Sequence, residues 1–335
     1  MMAPVHFKLE FIYYLGLSLD KEFEIKLDHP HLPRLVIKFG QEMDDKGKDR
    51  KKPLCTAITE FDPPPEIAKQ LQDTSASLST EVKNFLNQVD RRLNEAARKT
   101  IRLLQWCQGD AENKDVGTFT RFAYSSDAVV WRAVPKVIYL NPHVGILLQM
   151  ISDKVVESLR TVWDSGEEEP LAHELFREAA SQKIDRPRSC VVMAVAAAEV
   201  GLKQLIGSLI PDAKWLADNV PSPPLHQILL EFLPVLPTQF RVGGVIPKVP
   251  EELLATVKKA VTMRNQIVHG KSPKTTKETM REILTAIHDC LYIFDCYSGK
   301  LWAWSCISYG TKRLIQKELS LTASNRSQAA QKRKK

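Results

Sequence analysis

The chain lacks an apolar run long enough to span a bilayer, which takes about 20 consecutive apolar residues. Val137–Ser152 contains no Asp, Glu, Lys or Arg, but Asn141, Pro142 and His143 interrupt it. Ser189–Ala198 is apolar but too short, and reads as part of a buried core helix. The first residues, Met1-Met2-Ala3-Pro4-Val5-His6, show neither a basic n-region nor an apolar h-region, so no export is expected. The six cysteines (Cys55, Cys107, Cys190, Cys290, Cys296, Cys306) include no C-x-x-C pair and no His at zinc-finger spacing. Free, mostly buried thiols in a reducing cytoplasm are the expectation. The N-terminal half shows no repeat and no phosphate-binding glycine loop. A membrane partner, a bound metal and a cofactor are therefore not expected.

At 335 residues the chain can hold two domains of ordinary size. With 44% hydrophobic and 26% charged residues, it has the composition of a soluble globular protein. The net charge of +7 suits a polyanionic partner such as RNA. Much of the excess lies in Lys46–Lys52 and in the tail Gln331-Lys332-Arg333-Lys334-Lys335. Without those two runs the chain is close to neutral, so charge alone does not establish nucleic-acid binding.

The first part alternates as a half-buried sheet does. Val5, Phe7, Leu9 and Phe11 fall on one face; His6, Lys8 and Glu10 fall on the other. The alternation returns at Phe23, Ile25 and Leu27, and again at Leu35, Ile37 and Phe39. Leu54–Phe61 is a fourth strand candidate, closed by Asp62-Pro63-Pro64-Pro65. A long amphipathic helix follows, with Ser79 as N-cap and Val82, Leu86, Val89, Leu93 and Leu104 on its stripe. Phe119–Ala123 and Val129–Tyr139 return to strand character. From Val144 onward the pattern is helical, at about 144–163, 170–183, 188–210, 224–233, 251–270, 277–297 and 300–317. Pro221–Pro250, rich in Pro and Gly, reads as a long connection containing one helix. The fold class is α+β: an N-terminal antiparallel sheet with a long helix at 1–143, then an all-α helical bundle at 144–320. Residues 321–335 form a basic tail expected to be disordered.

The most informative segment is Arg264-Asn265-Gln266-Ile267-Val268-His269. The stripe before it reads Leu253, Leu254, Val257, Val261, which makes 264, 265 and 268 the next inward positions. Arg264 and Asn265 stand where a core wants hydrocarbon. Burying such groups costs roughly 2–7 kcal/mol each for a polar group, and more for a charge, unless they are paired. They therefore have buried partners or face a working cleft. Gly270 and Pro273 end the helix, putting His269 in its last turn. On an ideal helix Arg264 and His269 are about 7.5 Å apart along the axis and about 140° apart around it. A distorted last turn, or a symmetry-related second helix, lets them converge.

Arg, a polar residue, a short gap, then His-Gly at a helix end resembles the R-x(4–6)-H motif of the HEPN superfamily of all-α domains. Arg188–Glu199 is similar to the small-residue first helix of such domains, with its single acid on an apolar background. Lys277–Tyr297 with Leu301-Trp302-Ala303-Trp304 resembles their closing helices. The resemblance covers about 150–320 and leaves out the N-terminal half. It implies a metal-independent endoribonuclease that leaves 2′,3′-cyclic phosphate ends and acts as a homodimer, in a toxin or antiviral-defence role. Other members are inactive, so it also admits a non-catalytic RNA-, nucleotide- or protein-binding module.

Each candidate has two roles. Arg264 either grips a scissile phosphate through its fork of donors or pairs structurally with an acid, Glu199 being the candidate. His269 either takes the proton from a ribose 2′-OH or caps the helix end. Asn265 positions His269 or the phosphate. Glu199, on a Val/Ala background, needs a cation or a proton, and a salt bridge to Arg264 is the favoured role. His288 reads as a satisfied core or interface histidine, and His29 and His31 lack further metal ligands. Trp302, Trp304 and Tyr309 either stack bases or pack the bundle.

Overall fold

A computed structural model of the chain describes residues 4–12, 23–42, 52–73, 78–109, 119–134, 152–219 and 224–332. Its contacts form two compact units: Met1–Gln105 with Lys114–Glu168, and Trp106–Asn113 with Glu169–Lys335.

The first unit carries a six-stranded antiparallel sheet built from β1 (Val5–Ile12), β2 (Phe23–Leu27), β3 (Leu35–Glu42), β4 (Lys52–Phe61), β5 (Phe119–Ser125) and β6 (Arg132–Ala133). The strand order is β2-β3-β4-β1-β5-β6. Alternation fixes the register, because a one-residue slip would turn every apolar side chain to water. Leu9 lies opposite Ala57 on β4 and Phe122 on β5, and Ile37 lies opposite Ile25 and Ala57. All five are buried. His6, Lys8 and Glu10 occupy the other face, where His6 and Arg34 pair with Glu60 and Lys8 pairs with Glu10.

Two helices follow β4: α1 (Pro65–Gln72) and α2 (Thr80–Gln108). Ser79 caps α2, its Oγ accepting from the Val82 amide at 3.3 Å. The whole expected stripe of α2 is buried. Each such side chain contributes roughly 1.5–3 kcal/mol. Phe85 of α2 meets Phe7 and Phe61 edge-on at 6.0 and 5.9 Å, which seats the helix on the sheet.

Strand character expected over Val129–Tyr139 is confined to Arg132–Ala133 among the described residues; the part from 135 lies outside them. The helix expected at 144–163 is seen as α3 (Asp153–Asp164), its earlier residues also lying outside the description. α3 packs on the sheet, with Trp163 Nε1 donating to the Asp28 carbonyl at 3.2 Å and Arg160 donating to the Glu24 carbonyl at 3.4 Å. Those contacts move the division between units from 143/144 to 168/169.

The second unit contains α4 (Leu171–Ser181), α5 (Pro187–Leu209), α6 (Lys214–Asn219), α7 (Leu225–Gln227), α8 (Glu251–Val268), α9 (Lys277–Tyr297) and α10 (Tyr309–Lys332). By length and composition alone α5 is apolar enough to cross a membrane. Here it is the central core helix, in contact with α4, α8 and α9. Its small residues allow that close approach: a Cβ on Gly201 would sit 2.8 Å from Leu291 Cδ2 of α9 and 3.2 Å from Ala172 Cβ of α4.

Between α6 and α8, α7 runs on into a π turn (Ile228–Phe232) and a 3₁₀ turn (Leu233–Val235). An isolated bridge then joins Val242 to Val245 across Gly243-Gly244, both at positive φ. That tight reversal suits glycine, which meets no Cβ penalty there. The tail expected to be disordered from 321 is helical, α10 reaching Lys332. Of the two basic runs, residues 46–51 and 333–335 lie outside the described residues.

Candidate functional site

The end of α8 is shaped by its chemistry. Gly270 adopts φ 77°. Its amide donates to the Ile267 carbonyl at 3.0 Å, and the Lys271 amide donates to the Gln266 carbonyl at 2.8 Å. This is the paired closure that a left-handed glycine makes after a helix. His269 is the C-cap residue, at φ −86° and ψ 21°.

The buried arc of α8 is Leu253, Val257, Ala260 and Met263. Leu254 and Val261, which anchor the sequence-based stripe, are only half-buried. The inward face is therefore rotated from the expected one. Of the three positions expected inward, Arg264 is half-buried, while Asn265 and Val268 are exposed. The reason is geometric: α5, α7 and α9 pack against α8, and the residues they leave buried are those of the Leu253–Met263 arc. The apolar residues of α8 span a wider arc than its neighbours cover.

Arg264 and Glu199 do meet. The guanidinium Nη2 donates to Glu199 Oε1 across the α5–α8 contact, with the side chains 17% and 13% exposed. The pair is largely covered but keeps a small part of each side chain in contact with water. Asn265 and His269 are exposed one turn apart, joined by the helix bond from the His269 amide to the Asn265 carbonyl at 3.0 Å. Among the described residues no hydrogen bond or ion pair joins the side chains of Arg264 and His269. Within one copy the structure thus assembles Arg264 with Glu199 and leaves Asn265 and His269 on the surface beyond them.

His288 is a satisfied histidine. Its Nε2 lies 3.1 Å from the Gly109 carbonyl and its Nδ1 3.3 Å from Asp289 Oδ1, and its ring packs on Tyr292. Trp302 stands edge-on to Trp106 at 5.1 Å, and Trp304 packs against Phe240. Tyr309 is exposed. His29 and His31 stand 6.2 Å apart, ring to ring. Among the described residues no three His, Cys, Asp or Glu side chains gather as a metal site would require. All six cysteines are free, five of them buried. Burial pushes the Cys190 and Cys306 thiols up to about 11 and those of Cys55, Cys290 and Cys296 higher still, so all five stay protonated at neutral pH and are poor nucleophiles.

Two buried polar networks on α9 escaped sequence reasoning. Asp295 Oδ2 accepts from Trp106 Nε1 and contacts His173 Nε2, each at 2.9 Å. Asp289 accepts from the Ser308 amide at 2.9 Å and from the Ser308 and Thr311 hydroxyls at 2.6 Å each. Burial raises the Asp289 pKa, but the hydrogen bonds from His288, Ser308 and Thr311 outweigh it and hold the carboxyl below its ordinary value. A lone acid in an apolar helix, the signal that singled out Glu199, is equally present at both positions. A third pair, Arg177 with Glu169, is buried near the start of α4.

Comparison of this chain with models of known families, with curated proteins and with solved structures finds no match.

Proposed function

We propose that the helical unit is a metal-independent endoribonuclease of HEPN type that acts as a homodimer, the α8 helices of two copies facing one another. The observation that carries this reading is the grouping at the end of α8. Arg264 is held by Glu199 at a water-accessible edge, with Asn265 and His269 exposed on the following turn. Arg264, kept in place by the acid, would bind and neutralise a phosphate. His269 would take the proton from the ribose 2′-OH. The 2′-oxygen then bonds to phosphorus, the bond from phosphorus to the 5′-oxygen breaks, and the leaving oxygen takes a proton from water or from the second His269. Dimerisation supplies what one helix does not: the roughly 140° between the two residues is bridged when each copy contributes one of them. Val268, 61% exposed beside His269, gives that face an apolar contact for the second copy. The first unit would select the RNA or sense a trigger, and the family likeness suggests a toxin or antiviral role in the cytoplasm.

The test is incubation of the purified protein with mixed RNA in EDTA. Fragments with 2′,3′-cyclic phosphate ends are expected. His269→Ala should abolish them with little change in melting temperature. A folded wild-type dimer that leaves RNA intact overturns the nuclease reading. The ion pair itself favours a second reading, in which Arg264 and Glu199 only brace α8 against α5 in a non-catalytic binding module. In that case RNA is never cut, and RNA binding, where present, survives His269→Ala.

A further inference from the structure

Further along α5 from Glu199, a hollow of about 500 Å³ lies between α5 and α6. That volume falls within the roughly 300–1,000 Å³ of small-molecule sites. Lys203, Gln204 and Gly207 of α5 line it, with Lys214 and Asp218 of α6. Glu199 and Lys203 stand at i,i+4 spacing, so they share a helix face and lie about 6 Å apart along the axis. The hollow therefore starts one turn from the acid that holds Arg264. Its charges are matched within the protein: Lys214 pairs with Asp218 at 2.9 Å, and Lys203 has a partner of its own. The recognition groups that remain are neutral. Gln204 is exposed, and its amide makes no hydrogen bond among the described residues. Trp215 follows Lys214 and stands at i,i+3 spacing from Asp218, which puts it at the border of the lining face of α6. It is 69% exposed, whereas the other five tryptophans are buried or half-buried. An indole face left in water beside a hollow is a platform for a flat ring, and a carboxamide offers the donor and the acceptor that the edge of a heterocycle requires.

We propose that this hollow is a nucleobase subsite of the endoribonuclease, a proposal that rests on the nuclease reading for the phosphate held at Arg264. The base of a nucleotide adjoining that phosphate enters between α5 and α6 and stacks on Trp215, and its edge hydrogen-bonds with the Gln204 amide. RNA recognition of this kind reads splayed single-stranded bases by stacking and by their polar edges. Because the charges lining the hollow are already paired, the subsite contributes base preference, and Arg264 contributes the attraction for phosphate.

The test is calorimetric titration of the full-length protein with the four 2′-O-methyl homotrinucleotides, whose blocked 2′-oxygens prevent cleavage. Saturable binding is expected, with the best base held roughly tenfold more tightly than the poorest. Gln204→Ala should erase most of that margin, and Trp215→Ala should weaken all four by roughly tenfold. Gly207→Leu should remove binding by filling the hollow. A Cβ there meets nothing closer than Lys214 Cγ at 3.8 Å, and leucine is the better helix former, so this variant folds. Absence of saturable binding, or unchanged affinities in the folded Gln204→Ala and Trp215→Ala variants, overturns the proposal. RNA cleavage that keeps its base preference in Gln204→Ala overturns the subsite and leaves the nuclease standing. Trinucleotides that bind and respond to these variants, in a protein that never cuts RNA, support the base site and overturn the nuclease reading alone.

Discussion

Two helices of the same bundle place polar groups on apolar backgrounds and treat them differently. α9 carries Asp289 and Asp295, both buried and both met by several partners. α8 carries Arg264, paired with Glu199 at an edge that water reaches, and then Asn265 and His269 in the open. A carboxylate held by several buried donors serves the core. A pair at an edge, followed by exposed amide and imidazole groups, leaves chemistry available to a ligand. The contrast shows that a polar residue in an apolar helix implies a partner, while the neighbouring elements decide how far water reaches the pair.

The comparison is broken most forcefully at Asp295. Asp295→Ala strands the Trp106 N–H and His173 in the core and should cost about 3–5 kcal/mol in urea unfolding. A loss near zero would mean that water reaches this network too. Glu199→Gln is expected to cost less, about 1–2 kcal/mol, because solvent compensates a pair at an edge. If the two losses come out equal, the difference drawn between the helices disappears.

Asp289 sharpens the comparison through pH. Its folded pKa is depressed, so its contribution is fully present above the unfolded carboxylate value of about 3.9 and is lost as pH falls through the lower folded value. Stability measured downward from pH 5 should fall in that acid window, and Asp289→Asn should flatten part of the slope. The smallest effect belongs to His269→Ala, which should change stability by less than about 0.5 kcal/mol, since the side chain is exposed at a helix end. A larger loss would make His269 a structural cap.

Much of this was legible in the residues. Period-two alternation located β1 to β3, the Asp62–Pro65 run bounded β4, and Ser79 with its stripe located α2, because strand and helix each repeat their own face at a fixed spacing. Gly270 and Pro273 marked the end of α8 for an equally local reason, the left-handed turn. The Arg264–Glu199 pair was legible because an acid among Val and Ala has few affordable states. The phase of α8 was not. Its apolar residues allow two neighbouring arcs, and Leu254 and Val261 pointed to the one its neighbours leave half-covered. Asp289 and Asp295 carried the same signal as Glu199, but their partners at Ser308, Thr311, Trp106 and His173 are distant in sequence or on other elements. Nothing local marks which of them will meet.

By itself the sequence determined strands β1 to β4, α2 with its Ser79 cap, the Gly270 end of α8, and that the Arg264 and Glu199 charges need a counterpart, since these follow from backbone geometry and from the cost of burying charge. Tertiary structure alone decided which arc of α8 is covered, that α3 belongs with the sheet, and that the acids of α9 are buried among donors from other segments. A helix's periodicity defines its faces relative to its own axis, and only the positions of its neighbours determine which face meets protein and which meets water.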